Sequence, residues 1–429
     1  MESITLQGPK TTQNTIHLAA SKSESNRALI IQALTAAPGT LHNLANARDT
    51  ETMTRLLDDR ENPVWDVIDA GTTMRFLTAF AATQGLQKKM TGTQRMQERP
   101  IGVLVDALRE LGADITYLKE DGYPPHQING FTQQKSEITV RSDISSQYIS
   151  ALLMMAPTLP NGLTLHLKGK IGSWPYINMT LRIMEAFGIT YPLADDIKTP
   201  KEGLSIHIPH QPYNTVKNFT IESDWSAASY WYSIIALSPD EEASITISGL
   251  KDAKDSTQGD AVMGYHPQEG QGGFMQHLGV TTHFDPKTNL TTLRKGPHKN
   301  TFEWDFTHCP DIAQTVAVIC AAKGISAKLT GLESLRIKET DRIDAIKTEL
   351  NKFGVTVEIH GDEAITLDQP TFSPQQNTLI HTYKDHRMAM AFAPLALLTP
   401  IQIENPKVVD KSYPDFWRDL ESTGFLVTS

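Results

Sequence analysis

Six stretches of this sequence would be apolar on every side if wound into helices, and that constrains the fold more than any other feature. They start at Ser21, Gly71, Asp143, Asp224, Asp311 and Asp385 and run to positions 37, 84, 157, 237, 323 and 398. Ala151-Leu152-Leu153-Met154-Met155-Ala156 and Val316-Ala317-Val318-Ile319 are representative interiors. A helix without a polar face has to be buried all round, so each needs other layers about it. Runs that alternate with period two, such as 162–167 and 243–248, follow and read as strands. A more amphipathic helix closes most repeats, at 103–111, 183–187, 275–278 and 343–353, each ahead of a Gly that can take the left-handed stop.

The repeat is therefore strand, buried helix, strand, exposed helix, strand. Two groups of three such repeats predict an α/β protein of two similar domains, 19–221 and 1–18 plus 222–429, each with buried helices under an outer layer of sheet and helix. Residues 3–18 read as an N-terminal strand that crosses to the second domain, 198–212 as an irregular hairpin and 265–273 as a loop.

Composition narrows the function only by exclusion. The formal net charge is -10 and no dense Lys/Arg tract occurs, which argues against a nucleic-acid or anionic-membrane surface. Cys309 and Cys320 are too few for a disulfide framework and lack zinc-ligand spacing, as suits a reducing compartment. The start shows no charged and apolar leader pattern, and the apolar stretch 388–398 is too short to span a bilayer. A cytoplasmic enzyme is the expectation.

Chemistry gathers at the six helix starts. They carry Lys22, Ser23 and Arg27; Gly71, Thr72 and Arg75; Ser145, Ser146 and Gln147; Asp224; Asp311; and Asp385, His386 and Arg387. Helix N-termini offer unpaired N–H groups and a positive dipole end, so parallel buried helices would bring these groups to bear on anions in the gap between the domains. Stretch 21–27 reads as an anion cradle, although its serines could merely cap a helix. Arg95, Arg99, Lys338, Arg342 and Lys411 add fixed charge from short polar stretches; each alone reads better as solvated surface. Together they suit small phosphates and carboxylates.

The strings SKSESNRALI (21–30), AGTTMR (70–75), RMQERPIG (95–102), SSQYISALLM (145–154), SWPYINMTL (173–181), PDIAQT (310–315), RIKETDRI (336–343), DHRMAMAF (385–392) and DKSYPDFW (410–417) resemble the shikimate-pathway branch of the enolpyruvyl transferase family, in family order and over nearly the whole chain. That resemblance implies two domains of three inverse βαβαββ-type units each, an inside-out α/β barrel. It implies enolpyruvyl transfer from phosphoenolpyruvate to the 5-hydroxyl of shikimate 3-phosphate, without metal or cofactor, by a monomer. By the same carry-over Lys22, Ser23, Arg27, Ser145, Ser146, Gln147, Ser173, Tyr176, Asp311, Ser334 and Lys338 would hold shikimate 3-phosphate. Lys22, Gly71, Arg95, Gln147, Arg342, Arg387 and Lys411 would hold phosphoenolpyruvate.

Joining an enol ether to a hydroxyl needs a base for the hydroxyl and an acid for the methylene carbon. Asp311 and Glu339 are the candidates, with Lys22 assisting; the plain alternative for Asp311 is a helix cap. Three positions depart from the family pattern. Asp69 stands where many members have Asn and would repel an anionic substrate unless Arg75 or Arg95 neutralises it; Ser334 replaces a frequent Asn; Phe76 replaces a smaller residue. Two other readings compete: transfer to UDP-N-acetylglucosamine, whose enzymes use a reactive loop cysteine, and a non-catalytic anion-binding relative, which would have lost the acid–base pair. A nucleotide kinase is excluded by the lack of a Gly-rich loop followed by Lys-Ser/Thr.

Overall fold

All 13 residues of the helix Trp225–Leu237 are buried, the outcome its missing polar face requires. The computed structural model describes residues 2–192 and 202–428. The chain forms two lobes, 21–221 and 1–20 with 222–429. The first holds α1 (Lys22–Leu34), α2 (Arg48–Asp58), α3 (Gly71–Thr83), α4 (Gln94–Gln97), α5 (Gly102–Leu111), α6 (Ser146–Met155) and α7 (Trp174–Ala186). The second holds α8 (Trp225–Leu237), α9 (Ala313–Lys323), α10 (Arg342–Asn351), α11 (His386–Phe392) and α12 (Phe416–Ser422). Each lobe has its own core, with Ile30, Phe76, Leu152 and Met184 in the first and Trp231, Val318, Met388 and Phe416 in the second. No helix among the described residues is long and apolar enough to cross a membrane.

One sheet order recurs around these cores. Val64–Asp66 runs parallel to Lys88–Thr91, and then His126–Phe131 and Ala113–Tyr117 add antiparallel. Thr301–Asp305, Ser326–Thr330, Ala364–Leu367 and Glu358–His360 repeat the order in the second lobe. A parallel pair needs a crossover, and here α3 and α9 supply it, leaving the short hairpin to close the unit. This is the βαβαββ arrangement. Strands such as Leu163–Lys168 alternate buried with more exposed residues, so one face packs on the core.

Several expectations change. Residues 3–18 are not one strand: Ser3–Gln7 and Gln13–His17 lie in different sheets. The break falls at Gly8-Pro9, where Pro9 has no N–H to donate. A Cβ on Gly8 would stand 2.6 Å from the Leu397 backbone, so only glycine fits. The lobe boundary lies after Ala20 rather than after residue 18, because Ala20 bridges to Ser223 and the Asp224 N–H donates to the Ala19 carbonyl at 2.8 Å. The third repeat's helix starts at Ser146, not Asp143, which instead pairs with Arg141 at 2.8 Å.

Residues 183–187 are the end of the longer α7, whereas 275–278 fall in and beyond a 3-10 turn, Gly273–His277. Left-handed φ at Gly272 and Gly273 interrupts any regular helix there. Stretch 265–273 is a small hairpin, Tyr265–His266 against Gly270–Gln271, rather than a loop. Of 198–212, residues 198–201 lie outside the described residues; Ser205–Ile208 pairs antiparallel with Leu163–Lys168.

His126 gives the first lobe an acid-sensitive point. It is fully buried, its Nε2 meets Thr78 Oγ1 at 3.1 Å, and burial followed by the charge of Arg109 lowers its pKa to about 3. A folded-state value below the unfolded one means stability that is full above about 6.5 and lost as pH falls toward 3. Between pH 6.5 and 4.5 the loss should reach about 2.3 kcal/mol. Urea unfolding at both pH values, for the wild type and His126→Gln, checks it: the variant should lose less, and equal losses would remove His126 as the cause.

Candidate active site

In the first lobe five helix starts are tied together by side chains. Ser21 caps α1, accepting from the Glu24 N–H at 3.3 Å, so the capping reading holds for that serine. Lys22, one residue on, places its Nζ 3.3 Å from Asp49 Oδ2 in the first turn of α2. Arg27 is 2 % exposed and donates to Thr180 Oγ1 at 2.6 Å, Ser150 Oγ at 3.1 Å, and the carbonyls of Ser23 at 2.8 Å and Tyr176 at 3.2 Å. It binds α1 to α6 and α7, and burial lowers its pKa to about 10, which still leaves it a cation at neutral pH.

Ser145 caps α6 through the Gln147 N–H at 3.3 Å, and Gln147 Nε2 reaches Thr72 Oγ1 in the first turn of α3 at 3.2 Å. Ser146 is buried in the same turn. Ser173 precedes α7 with φ +54°, a left-handed conformation that costs a serine energy and is retained mostly at functional sites. Its neighbour Tyr176 lays its ring 5.9 Å from the Arg27 guanidinium carbon. Gly71 opens α3 beneath two guanidinium groups: a Cβ there would stand 2.7 Å from Arg99 Nη1 and 2.9 Å from Arg75 Nη1. Arg95, on the short α4, is half exposed and pairs with Glu98 at 3.4 Å.

In the second lobe Arg342 is the hub. Its Nε donates to Asp385 Oδ2 at 2.7 Å, Nη1 to Asp311 Oδ1 at 3.1 Å and Nη2 to Glu339 Oε2 at 3.0 Å. Arg387 Nη2 takes the other Asp311 oxygen at 2.9 Å, Lys338 Nζ lies 3.8 Å from Asp311, and Lys411 Nζ lies 3.3 Å from Glu339. Burial would raise the Asp311 pKa, but Arg387, Lys338 and Arg342 outweigh it and hold the carboxyl well below the usual carboxylate range. Asp311 is no helix cap. It sits in the 3-10 turn Pro310–Ile312, ahead of an α9 whose N-cap, Ile312, makes no side-chain bond.

Thus Asp311, Lys338, Glu339, Arg342, Arg387 and Lys411 converge, while Ser334 lies in the preceding turn Glu333–Ile337. His386 is buried with Nδ1 3.6 Å from Asp385. The Asp69 charge is met by Arg48 at 2.9 Å. Arg75 donates to the carbonyls of Gly71 and Pro100, each at 2.9 Å. Phe76 is fully buried under Arg27, its ring centre 5.3 Å from the guanidinium carbon. Asp49 went unread in the sequence, since an acid in a polar stretch carries no local sign of the cation it meets. Both cysteines are buried, and burial pushes their thiols up, so neither is a ready nucleophile.

The family model described as EPSP synthase (3-phosphoshikimate 1-carboxyvinyltransferase) matches residues 6–61 and 58–420. A 3-phosphoshikimate 1-carboxyvinyltransferase of Bacteroides fragilis (strain YCH46) is 47% identical over 98% of this chain and 97% of its own length. One from Photobacterium profundum is 36% identical, with 98% of each chain covered. Among solved structures, an EPSP synthase from Acinetobacter baumannii superposes with TM-score 0.76 over 100% of both chains; at 20% identity it speaks for the fold.

Proposed function

The chain belongs to the EPSP synthase (3-phosphoshikimate 1-carboxyvinyltransferase) family, and on that premise we propose which residues carry the family's reaction, transfer of the enolpyruvyl group of phosphoenolpyruvate to the 5-hydroxyl of shikimate 3-phosphate. The Asp311 carboxylate, kept ionised between Arg387, Lys338 and Arg342, carries the reading: it is a base held ready. Asp311 takes the hydroxyl proton as the new C–O bond forms, and Glu339, with Lys22, delivers a proton to the methylene carbon. The tetrahedral adduct then returns a methyl proton to Glu339 and expels phosphate, which leaves with the proton from Asp311.

Glu339 rests between Arg342 and Lys411. Phosphoenolpyruvate brings a carboxylate and a phosphate that would draw these cations to itself and free Glu339 to carry a proton. We assign Arg342, Arg387, Lys411, Arg95, Gly71, Gln147 and Lys22 to phosphoenolpyruvate. To shikimate 3-phosphate we assign Ser145, Ser146, Ser173 and Tyr176 at its phosphate, and Lys22, Ser23, Arg27, Gln147, Asp311, Ser334 and Lys338 at its ring. The acceptor is shikimate 3-phosphate rather than UDP-N-acetylglucosamine, a reading supported by two buried, unreactive thiols. The same thiols fit a reducing compartment, and we place a monomeric enzyme in the cytoplasm.

Inorganic phosphate release from phosphoenolpyruvate tests the reading, with each acceptor supplied separately. Release is expected with shikimate 3-phosphate alone. Release with UDP-N-acetylglucosamine would reassign the acceptor, and binding without release would leave an anion-binding protein.

A further inference from the structure

Tyr383 and Lys384, just ahead of α11, both take left-handed backbone, with φ of +53° and +58°. That conformation is unfavourable for any residue with a side chain, and it persists only where the surroundings impose it, most often at functional sites. Here α10 imposes it. The Tyr383 hydroxyl donates to Glu349 Oε1 at 2.7 Å, and Glu349 Oε2 accepts the His381 N–H at 3.1 Å. Glu349 is fully buried, and its charge is met by Lys352 Nζ at 2.6 Å, which also donates to the Leu379 carbonyl at 2.8 Å. A buried carboxylate held by three donors is a fixed anchor.

The same helix takes hold of this segment a second time. Arg342, about two turns earlier on the same face of α10, donates through Nε to Asp385 Oδ2 at 2.7 Å. The two left-handed residues thus lie between the two grips. On their near side Glu404 accepts the Thr382 N–H at 3.4 Å, and the Asp385 N–H returns to the Thr382 carbonyl at 2.8 Å. On their far side Asp385 Oδ1 accepts the Arg387 N–H at 2.9 Å, and Arg387 Nη2 reaches Asp311 at 2.9 Å. Were Tyr383 released, the chain would relax out of the left-handed region and Asp385 would shift with it.

We propose that Glu349 is a positioning residue for the reaction: by holding Tyr383 it keeps the turn at 383–384 left-handed, and so sets Asp385, and with it the Arg342 and Arg387 guanidinium groups, where phosphoenolpyruvate binds. The inference rests on the assignment of those two arginines to that substrate. Glu349 acts through the backbone of the turn rather than through any contact with a reactant.

The test is steady-state kinetics, by phosphate release, of the wild type, Tyr383→Phe, and Tyr383→Phe combined with Lys384→Gly. Tyr383→Phe keeps the ring and loses the bond to Glu349. It should raise the phosphoenolpyruvate KM about tenfold, the scale of one hydrogen bond to a charged group, and leave that of shikimate 3-phosphate within about twofold, since the serines assigned to its phosphate lie in the other lobe. Lys384 is exposed and glycine takes left-handed backbone freely, so adding Lys384→Gly should return the KM to within about threefold of the wild type. Glu349→Gln, with and without Lys384→Gly, should move the KM in the same directions and serves if the Phe variant does not fold. A merely structural anchor would weaken both substrates alike and gain nothing from glycine; that outcome, or an unmoved phosphoenolpyruvate KM, overturns the proposal. Arg387→Ala with a normal phosphoenolpyruvate KM would instead overturn the assignment of the arginines, so the two failures are distinct.

Discussion

Asp311→Ala should lower kcat by a factor on the order of 10² or more, the usual contribution of a positioned base, while both ligands still bind. Three cations face Asp311: Arg387 at 2.9 Å, Arg342 at 3.1 Å and Lys338 at 3.8 Å. Removing the carboxylate takes away the proton acceptor but leaves those cations, so affinity for the anionic substrates should hold or tighten. Steady-state kinetics with calorimetry separates the roles. An unchanged kcat would discard the base, and a normal kcat with lost binding would make Asp311 a ligand contact only.

Arg342→Ala should destabilise the protein by about 3–5 kcal/mol, the cost of leaving buried charge without its partner. The Arg342 side chain is 2% exposed and meets Asp385, which is fully buried, as well as Asp311 and Glu339. Arg387 and Lys411 would still face two of these carboxylates, but the side-chain guanidinium on Asp385 would be gone. The deficit should shrink as pH falls, since carboxylates stripped of a cation take up protons more readily. Urea unfolding at pH 7.5 and 5.5 measures it. A loss below about 1 kcal/mol would show that Arg342 is not the keystone of the cluster. Arg342→Lys keeps the charge but not the three-way fork, and should recover only part of the stability.

Much of this was legible locally. The apolar interiors of α8 and α9 required burial whatever surrounded them, and the motifs around Lys22, Ser145, Asp311, Lys338 and Arg387 showed where polar groups gather at or near helix starts. The errors came from pairings that no local pattern encodes. Residues 3–18 look like one strand because alternation continues across Gly8-Pro9, but the two halves pair with strands more than 200 residues away. For Asp69 the sequence offers Arg75 and Arg95 as counterions, and the fold adds Arg48, 21 residues earlier, at 2.9 Å.

By itself, the sequence determined which helices are buried, where the polar groups sit on their starts and which residue types are on hand for anion binding and proton transfer. Hydrophobic periodicity and helix-end chemistry are properties of neighbours in the chain. Tertiary structure alone decided how charge is shared: that Arg342 serves three carboxylates, and that Asp311 is gripped by Arg387 rather than capping a helix. The strength of such interactions depends on separation and burial in space, and residues 76 positions apart acquire both only when the chain folds.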